Sequence, residues 1–513
     1  MKAALCPIGA AALVCSSVLS AQAAPGHRVV SPISGTDTLL FDDTGALVHT
    51  WPSDFKVGMA CYLKENGNLL RSIVTTSGPS GTGGGVQELA LDGTVLWDFR
   101  YDTGGVLSHH DIEPMPGGNV LLIAWEELAP QEAIAAGRAP ARISGITRPD
   151  HIVEVRPCGP GAGEIVWEWH VMDHVIQDID PDRSDFGDVA RHPERIDINF
   201  PPDRSGGELN HLNSIDYDPT HDWIVVSSSF QDEIWIIDHG TTTAEAAGST
   251  GGRHGMGGDL LYRWGNPASY RGASSGEQVL FSPHAARFVS KGDGEPPHVL
   301  VFNNKSSPHS EVLELTLPFD GERFVRPSCA PFGPLEASWS YSAAGFDSDL
   351  MASAERLPNG NTLICSSMQI RIFEIDARGQ VVWEIDDEEL SSFPFHATYT
   401  ARTLWVDRPS EGCATYEVRF DLMFGTRHRD EFFMLMPTPR RRPKIAWALP
   451  WEVCLSAQGF LDESGRAGIT GDVPRAVHPE WIGEFVEYTA RAFDLPRRGS
   501  DSTSNTIRLE CIP

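Results

Sequence analysis

Polar and apolar positions alternate along this chain in short bursts rather than at helical spacing. Glu233-Ile234-Trp235-Ile236-Ile237-Asp238 and Ile370-Arg371-Ile372-Phe373-Glu374-Ile375 are β-branched and aromatic runs of strand length. Two signals recur around such runs. One is a tight turn that opens a strand: Asn66-Gly67-Asn68-Leu69-Leu70, Gly117-Gly118-Asn119-Val120-Leu121 and Asn359-Gly360-Asn361-Thr362-Leu363, with Thr220-His221-Asp222-Trp223-Ile224 a looser copy. Asn and Gly supply the positive φ that two-residue hairpin turns require. The other is a turn followed by an apolar strand that ends in Trp, at Trp97, Trp167, Trp264 and Trp383.

Units of four strands at this spacing predict an all-β propeller with four-stranded antiparallel blades. Five units fall near residues 55–102, 106–172, 208–268, 280–342 and 349–388. A sixth blade is expected to join the N-terminal strands around Thr38 to Trp51 with C-terminal ones such as Thr415 to Phe424. The propeller domain is thus assigned to residues 24–454, with loop insertions at 126–149 and 173–207. Residues 455–513 carry no repeat signal and form a C-terminal extension of unassigned role.

The first 23 residues have the charged start, short apolar core and A-x-A exit of a secretory signal, with cleavage expected after Ala23. The mature chain is therefore expected in the periplasm or secreted. No later apolar stretch is long enough to span a bilayer. Seven cysteines follow the signal, so at least one thiol is unpaired, and pairing is most plausible among Cys413, Cys454 and Cys511. No CxxC pair suggests zinc or redox chemistry. A formal net charge of -30 excludes nucleic acid as a partner, because a phosphate backbone needs a basic footprint.

The repeat also provides a ruler. Nine residues before Asn68, Asn119, Asp222 and Asn361 stand Met59, His110, Asn213 and Ala352. In a propeller that segment is the innermost strand, so this column lines the axial channel. Ser282-Pro283-His284 puts His284 in the same column by pattern, and His211, two residues before Asn213, shares its face by strand alternation. His110, His211, Asn213 and His284 are therefore expected to converge in one mouth. Two other readings of that column stand beside a catalytic one: polar residues that hold ordered water, and a three-histidine metal site lacking a carboxylate companion. His109 and Asp111 flank His110 and by alternation face away from the channel. Glu126 and Glu127 read as solvated, Asn303-Asn304-Lys305 as a pocket rim, and Gly81 to Gly85 as a flexible turn without the Lys and Ser/Thr of a phosphate loop.

At these residues the chain resembles the bacterial arylsulfotransferase family, six-bladed propellers that move a sulfuryl group from one phenol to another without a nucleotide donor. The resemblance is strongest in His109-His110-Asp111 to Asn119, Asn210-His211-Leu212-Asn213-Ser214, Glu233 to Asp238 with Thr241 to Gly248, Gly257 to Tyr270, and Phe281 to Phe288. It implies that His284 is the nucleophile that becomes sulfated, that His211 and Asn213 contact sulfate oxygens, and that His110 is a second pocket histidine. It implies a phenolic sulfate donor, a phenol acceptor and no cofactor or metal; a homodimer is compatible with it. One position departs. Characterised members carry an arginine sixteen residues after the Asn, and this chain has Ser229 there. A lost guanidinium removes a bidentate anion contact, which leaves Lys305 or Arg287 as replacement cations. It also raises a second reading, a non-catalytic propeller that binds a ligand or protein in the same mouth. A third, a quinone-dependent dehydrogenase, predicts eight blades, a calcium site and adjacent cysteines, none of which the sequence contains.

Overall fold

The computed structural model describes residues 22–401, apart from 65, 202–206, 291–294, 329, 386–387, 389 and 391, and the backbone of strands between 404 and 510. Contacts divide the chain into two units at Thr400/Ala401. The first is a six-bladed propeller of four-stranded antiparallel sheets. Blades I to V begin with the inner strands Val57–Leu63, Val106–Pro114, Leu212–Asp218, Pro283–Val289 and Ser353–Arg356, and each runs outward in sequence order. Each inner strand touches the next around the ring.

The predicted sixth blade exists, but a different strand closes it. Its inner strand is Pro394–Thr400, followed outward by His27–Pro32, Thr38–Phe41 and Leu47–Trp51. Thr415–Met423 instead pairs with Leu404–Val406 and Arg466–Pro474 in the second unit. The propeller therefore ends at Thr400, well short of residue 454. The physical reason is that hairpin turns announce partners adjacent in sequence, and the closing strand meets its neighbour from the opposite end of the chain. Signal residues 1–21 and Cys413, Cys454 and Cys511 lie outside the described residues.

The recurring Trp turns out to be a stitch between blades. Trp97 Nε1 donates to the Ala162 carbonyl of blade II at 3.0 Å, Trp167 Nε1 to Thr241 Oγ1 of blade III at 3.1 Å, and Trp264 Nε1 to the Pro334 carbonyl of blade IV at 2.8 Å. Trp383 reaches the Asp42 carbonyl of blade VI at 3.2 Å, and Trp51 the Ala90 carbonyl of blade I at 3.1 Å. From blade IV to blade V the link is Arg356 stacked 4.2 Å from the Trp339 ring. Each indole buries its body between sheets and satisfies its N–H on the neighbour, a net gain of about 1 kcal/mol per hydrogen bond on top of the buried area.

At the channel mouth the inner strands break regularity together. Met59, His110, His211, Ala285 and Ala352 all have positive φ, from 49° to 103°. Register shifts fall at Ser108/Ile112, Leu212/Ser214 and His284/Arg287. Non-glycine residues held there cost on the order of 1–3 kcal/mol each, a strain that clusters at functional sites. These bulges re-aim side chains, and the consequence for the pocket is direct.

Candidate functional site

The structure brings His110, His211 and His284 together from blades II, III and IV. The His110 and His211 rings lie 4.7 Å apart at 77°. Phe395, from the closing strand, packs 5.8 Å from His110 and 6.2 Å from His284. His211 stacks on Phe230 at 4.7 Å, and Glu208 binds its Nδ1. That carboxylate is the companion the repeat register did not reveal, because it lies in a loop before the strand.

His284 is buried and fixed through one nitrogen. Its Nδ1 lies 2.8 Å from Asn304 Oδ1 and 3.1 Å from the Ser282 carbonyl. Asn304 Nδ2 donates to the carbonyls of Ser348 and Met351, so the amide can present only oxygen to the imidazole. Both neighbours of Nδ1 are acceptors, hence Nδ1 carries the proton and Nε2 keeps a bare lone pair. Burial, with His211 and Lys305 adding to it, pushes His284 down to about 4 against the opposing pull of Asn304 and Ser282. Neutral His284 is thus the resting form at pH 7.

His110 is also driven well below the usual histidine range, by burial first and then by His211, His109 and His284. Its Nδ1 meets His109 Nδ1 at 2.8 Å, and His109 Nε2 sits 2.9 Å from Asp150 Oδ1, in contact but out of hydrogen-bond alignment. His109 stacks 3.9 Å from Trp125. Burial lowers His109 and raises Asp150 well above the carboxylate range, while the backbone of Leu212 and His211 pulls Asp150 back. The result is a buried chain Asp150–His109–His110. Strand alternation turned His109 away from the channel; positive φ at His110 puts the two rings in contact instead. Asp111 links blades, accepting from Tyr62 Oη at 2.7 Å in blade I and from Ile215 N at 3.2 Å in blade III.

The glycine-rich run is part of the wall. Gly81 has φ +91°, its carbonyl accepts from His110 N at 2.9 Å, and a Cβ built on it would lie 1.9 Å from His110 Cε1. Only glycine fits against that imidazole. Asn213 is fully buried, and both ends of its amide are engaged: Nδ2 donates to the Pro283 carbonyl at 2.9 Å and Oδ1 accepts from Ser227 at 2.5 Å. It thereby ties blade III to the residue before His284. Ser229 Oγ is 3.1 Å from Ser282 Oγ at the pocket edge. Lys305 is exposed and acts electrostatically on His284. Arg287 is engaged elsewhere: Nη2 donates to Tyr62 Oη at 3.0 Å, and Asp216, Asp111 and Glu355 surround it.

Comparison with known proteins bears on the family of the chain. No curated protein matches the chain. Among solved structures, a protein of unknown function from Bacteroides caccae is 15% identical over 74% of this chain and 100% of its own, with TM-score 0.43. A putative 6-phosphogluconolactonase from Bacteroides uniformis is 9% identical over 73% of this chain and 99% of its own, with TM-score 0.38. Both are too distant to bear on function. The family model described as Arylsulfotransferase (ASST) matches residues 33–317, more than half of the sequence and all of blades I to III with most of blade IV. The chain belongs to the arylsulfotransferase family.

Proposed function

We propose that the pocket transfers a sulfuryl group from an aryl sulfate to a phenol through a sulfohistidine at His284. One observation carries this reading: His284 Nδ1 is held by two acceptors, leaving Nε2 as a buried, neutral nucleophile beside two further imidazoles. Nε2 attacks sulfur and the S–O bond to the aryl group breaks. Positive charge on the sulfated ring is met by Asn304 Oδ1 and the Ser282 carbonyl through Nδ1–H.

The departing aryloxide takes a proton from His110 Nε2. His109 refills His110 at Nδ1, and Asp150, protonated in its buried setting, refills His109 once their 2.9 Å contact turns into hydrogen-bond alignment. In the second half the acceptor phenol gives its proton to His110, the relay runs backward, and the phenolate oxygen takes the sulfuryl group from Nε2. Atoms and protons balance, and His284 ends neutral. His211 meets a sulfuryl oxygen with the nitrogen that Glu208 leaves unbound, Asn213 positions the strand that carries His284, and Ser229 with Lys305 takes the place of the family's arginine. Acceptor-dependent release of nitrophenol from 4-nitrophenyl sulfate, abolished in His284→Ala, tests the reading.

The Ser229 departure favours a second reading, a propeller that binds aryl sulfates without turnover. Wild-type affinity for 4-nitrophenyl sulfate in His284→Ala, with no release by either protein, selects it. Export completes the proposal. Ala24 is buried and its N lies 2.5 Å from Glu374 Oε1, the carboxylate that also pairs with Arg28. A chain cleaved after Ala23 therefore presents its α-ammonium to a carboxylate already in place. N-terminal sequencing of the exported protein checks this: Ala24 as first residue supports it, and retained Met1 contradicts it.

A further inference from the structure

Blade II carries a second cluster on the sheet face opposite the relay. His151 and His170 are direct cross-strand partners, and His151 also pairs with Ala124, two residues before Glu126 on the same face. Asp150 and Trp125, the adjacent pair, point the other way toward His109. One ligand atom from each of Glu126, His151 and His170 lies within 4.8 Å of the others. His170 Nδ1 is 3.3 Å from Glu126 Oε2, close to the spacing of about 3.4 Å between ligands of a tetrahedral ion with bonds of about 2.0–2.1 Å.

We propose that Glu126, His151 and His170 form a binding site for a divalent transition-metal ion of the zinc type, separate from the histidine pocket. Two imidazoles and one carboxylate suit zinc and disfavour calcium or magnesium, which take oxygen ligands. His151 is fully buried, and its Nε2 lies 3.0 Å from Tyr101 Oη. Its Nδ1 is buried without a well-aligned hydrogen bond, although the Ala124 backbone lies close enough to favour a proton on the ring. When Nε2–H donates to Tyr101, Nδ1 offers a bare lone pair; a ligating histidine anchored through its other nitrogen has this arrangement. His170 stacks parallel to His151 with ring centroids 5.0 Å apart, and its side chain is 28% exposed. Both imidazoles reach one ion only when that outer ring tilts out of the stack and leaves Glu168, 3.5 Å from its Nε2, with a fourth position then open to water.

Titration of the metal-free full chain with Zn²⁺ by calorimetry, and with Co²⁺ followed by its visible absorption, tests the site. One tight equivalent is expected in the wild type, weakened at least tenfold in both Glu126→Gln and His170→Gln. Both side chains are partly exposed, and circular dichroism verifies that the variants are folded; a wild type that takes up no metal, or variants weakened less than tenfold, overturns the proposal.

Discussion

Asn304 Oδ1 lies 2.8 Å from His284 Nδ1 while its amide nitrogen is held by two backbone carbonyls from the approach to blade V. This single side chain sets both the tautomer and the orientation of the nucleophile. Asn304→Ala is expected to lower kcat about 100-fold, the loss that misplacement by about 1 Å produces, with a smaller change in KM. Steady-state kinetics on 4-nitrophenyl sulfate measure it, and equal loss in kcat/KM from KM alone contradicts it.

Burial sets the acid limb of activity, and the Asn304 contact opposes it. His284 stands at about 4, so the neutral nucleophile persists to that pH and only then takes a proton. The part of the kcat/KM profile due to His284 should fall near pH 4, not near the ordinary histidine value of about 6.5. Asn304→Asp puts a carboxylate against Nδ1 and favours the imidazolium, so its limb should move to higher pH. An unchanged limb contradicts the assignment.

Gly81→Ala should damage the pocket specifically. The new Cβ meets the His110 ring at 1.9 Å, whereas Gly104, also at positive φ, has nothing within 4 Å of its Cβ position. Both substitutions should cost about 1–3 kcal/mol of stability for the strained backbone. Only Gly81→Ala should lower turnover, by at least tenfold. Denaturant melts and initial rates on the pair separate strain from pocket damage, and equal rates contradict the packing of Gly81 on His110.

His396 gives a stability test with a defined sign. It is buried, its Nε2 accepts from Cys61 N at 3.4 Å, and burial first, then Arg287, hold it at about 3. Between the unfolded value of about 6.5 and that level, the unfolded chain binds a proton the native state refuses, so stability due to this group falls as pH falls. Relative to wild type, His396→Asn should gain about 1.4 kcal/mol for each pH unit below about 6. Urea melts at pH 7, 6 and 5 measure the difference, and a constant offset contradicts it.

Much of this was legible in the chain. The Asn-Gly turns gave the blade order because a hairpin is a local event, and the Trp positions marked the outer strands because each indole serves the next blade. The ruler found His110 because it sits at a fixed distance from a turn, and the Ser-Pro-His pattern, not the ruler, put His284 in the same column. What escaped reading is non-local or irregular. Pro394–Thr400 has no turn to its partner, Glu208 comes from a loop, Asn304 read as a pocket rim without its hold on His284, and His109 joins the site only because positive φ at His110 breaks the alternation assumed for a regular strand. Gly81 to Gly85 read as a flexible turn because the sequence shows a missing side chain without showing what fills its place.

Rapid quenching of the purified protein with 4-nitrophenyl sulfate in the absence of acceptor, followed by peptide mass mapping, is the most direct test. A sulfuryl group on the peptide containing His284, discharged when phenol is added and absent in His284→Ala, is the predicted result. Acceptor-dependent turnover with no adduct on that peptide, or an adduct that survives His284→Ala, contradicts a sulfohistidine at His284.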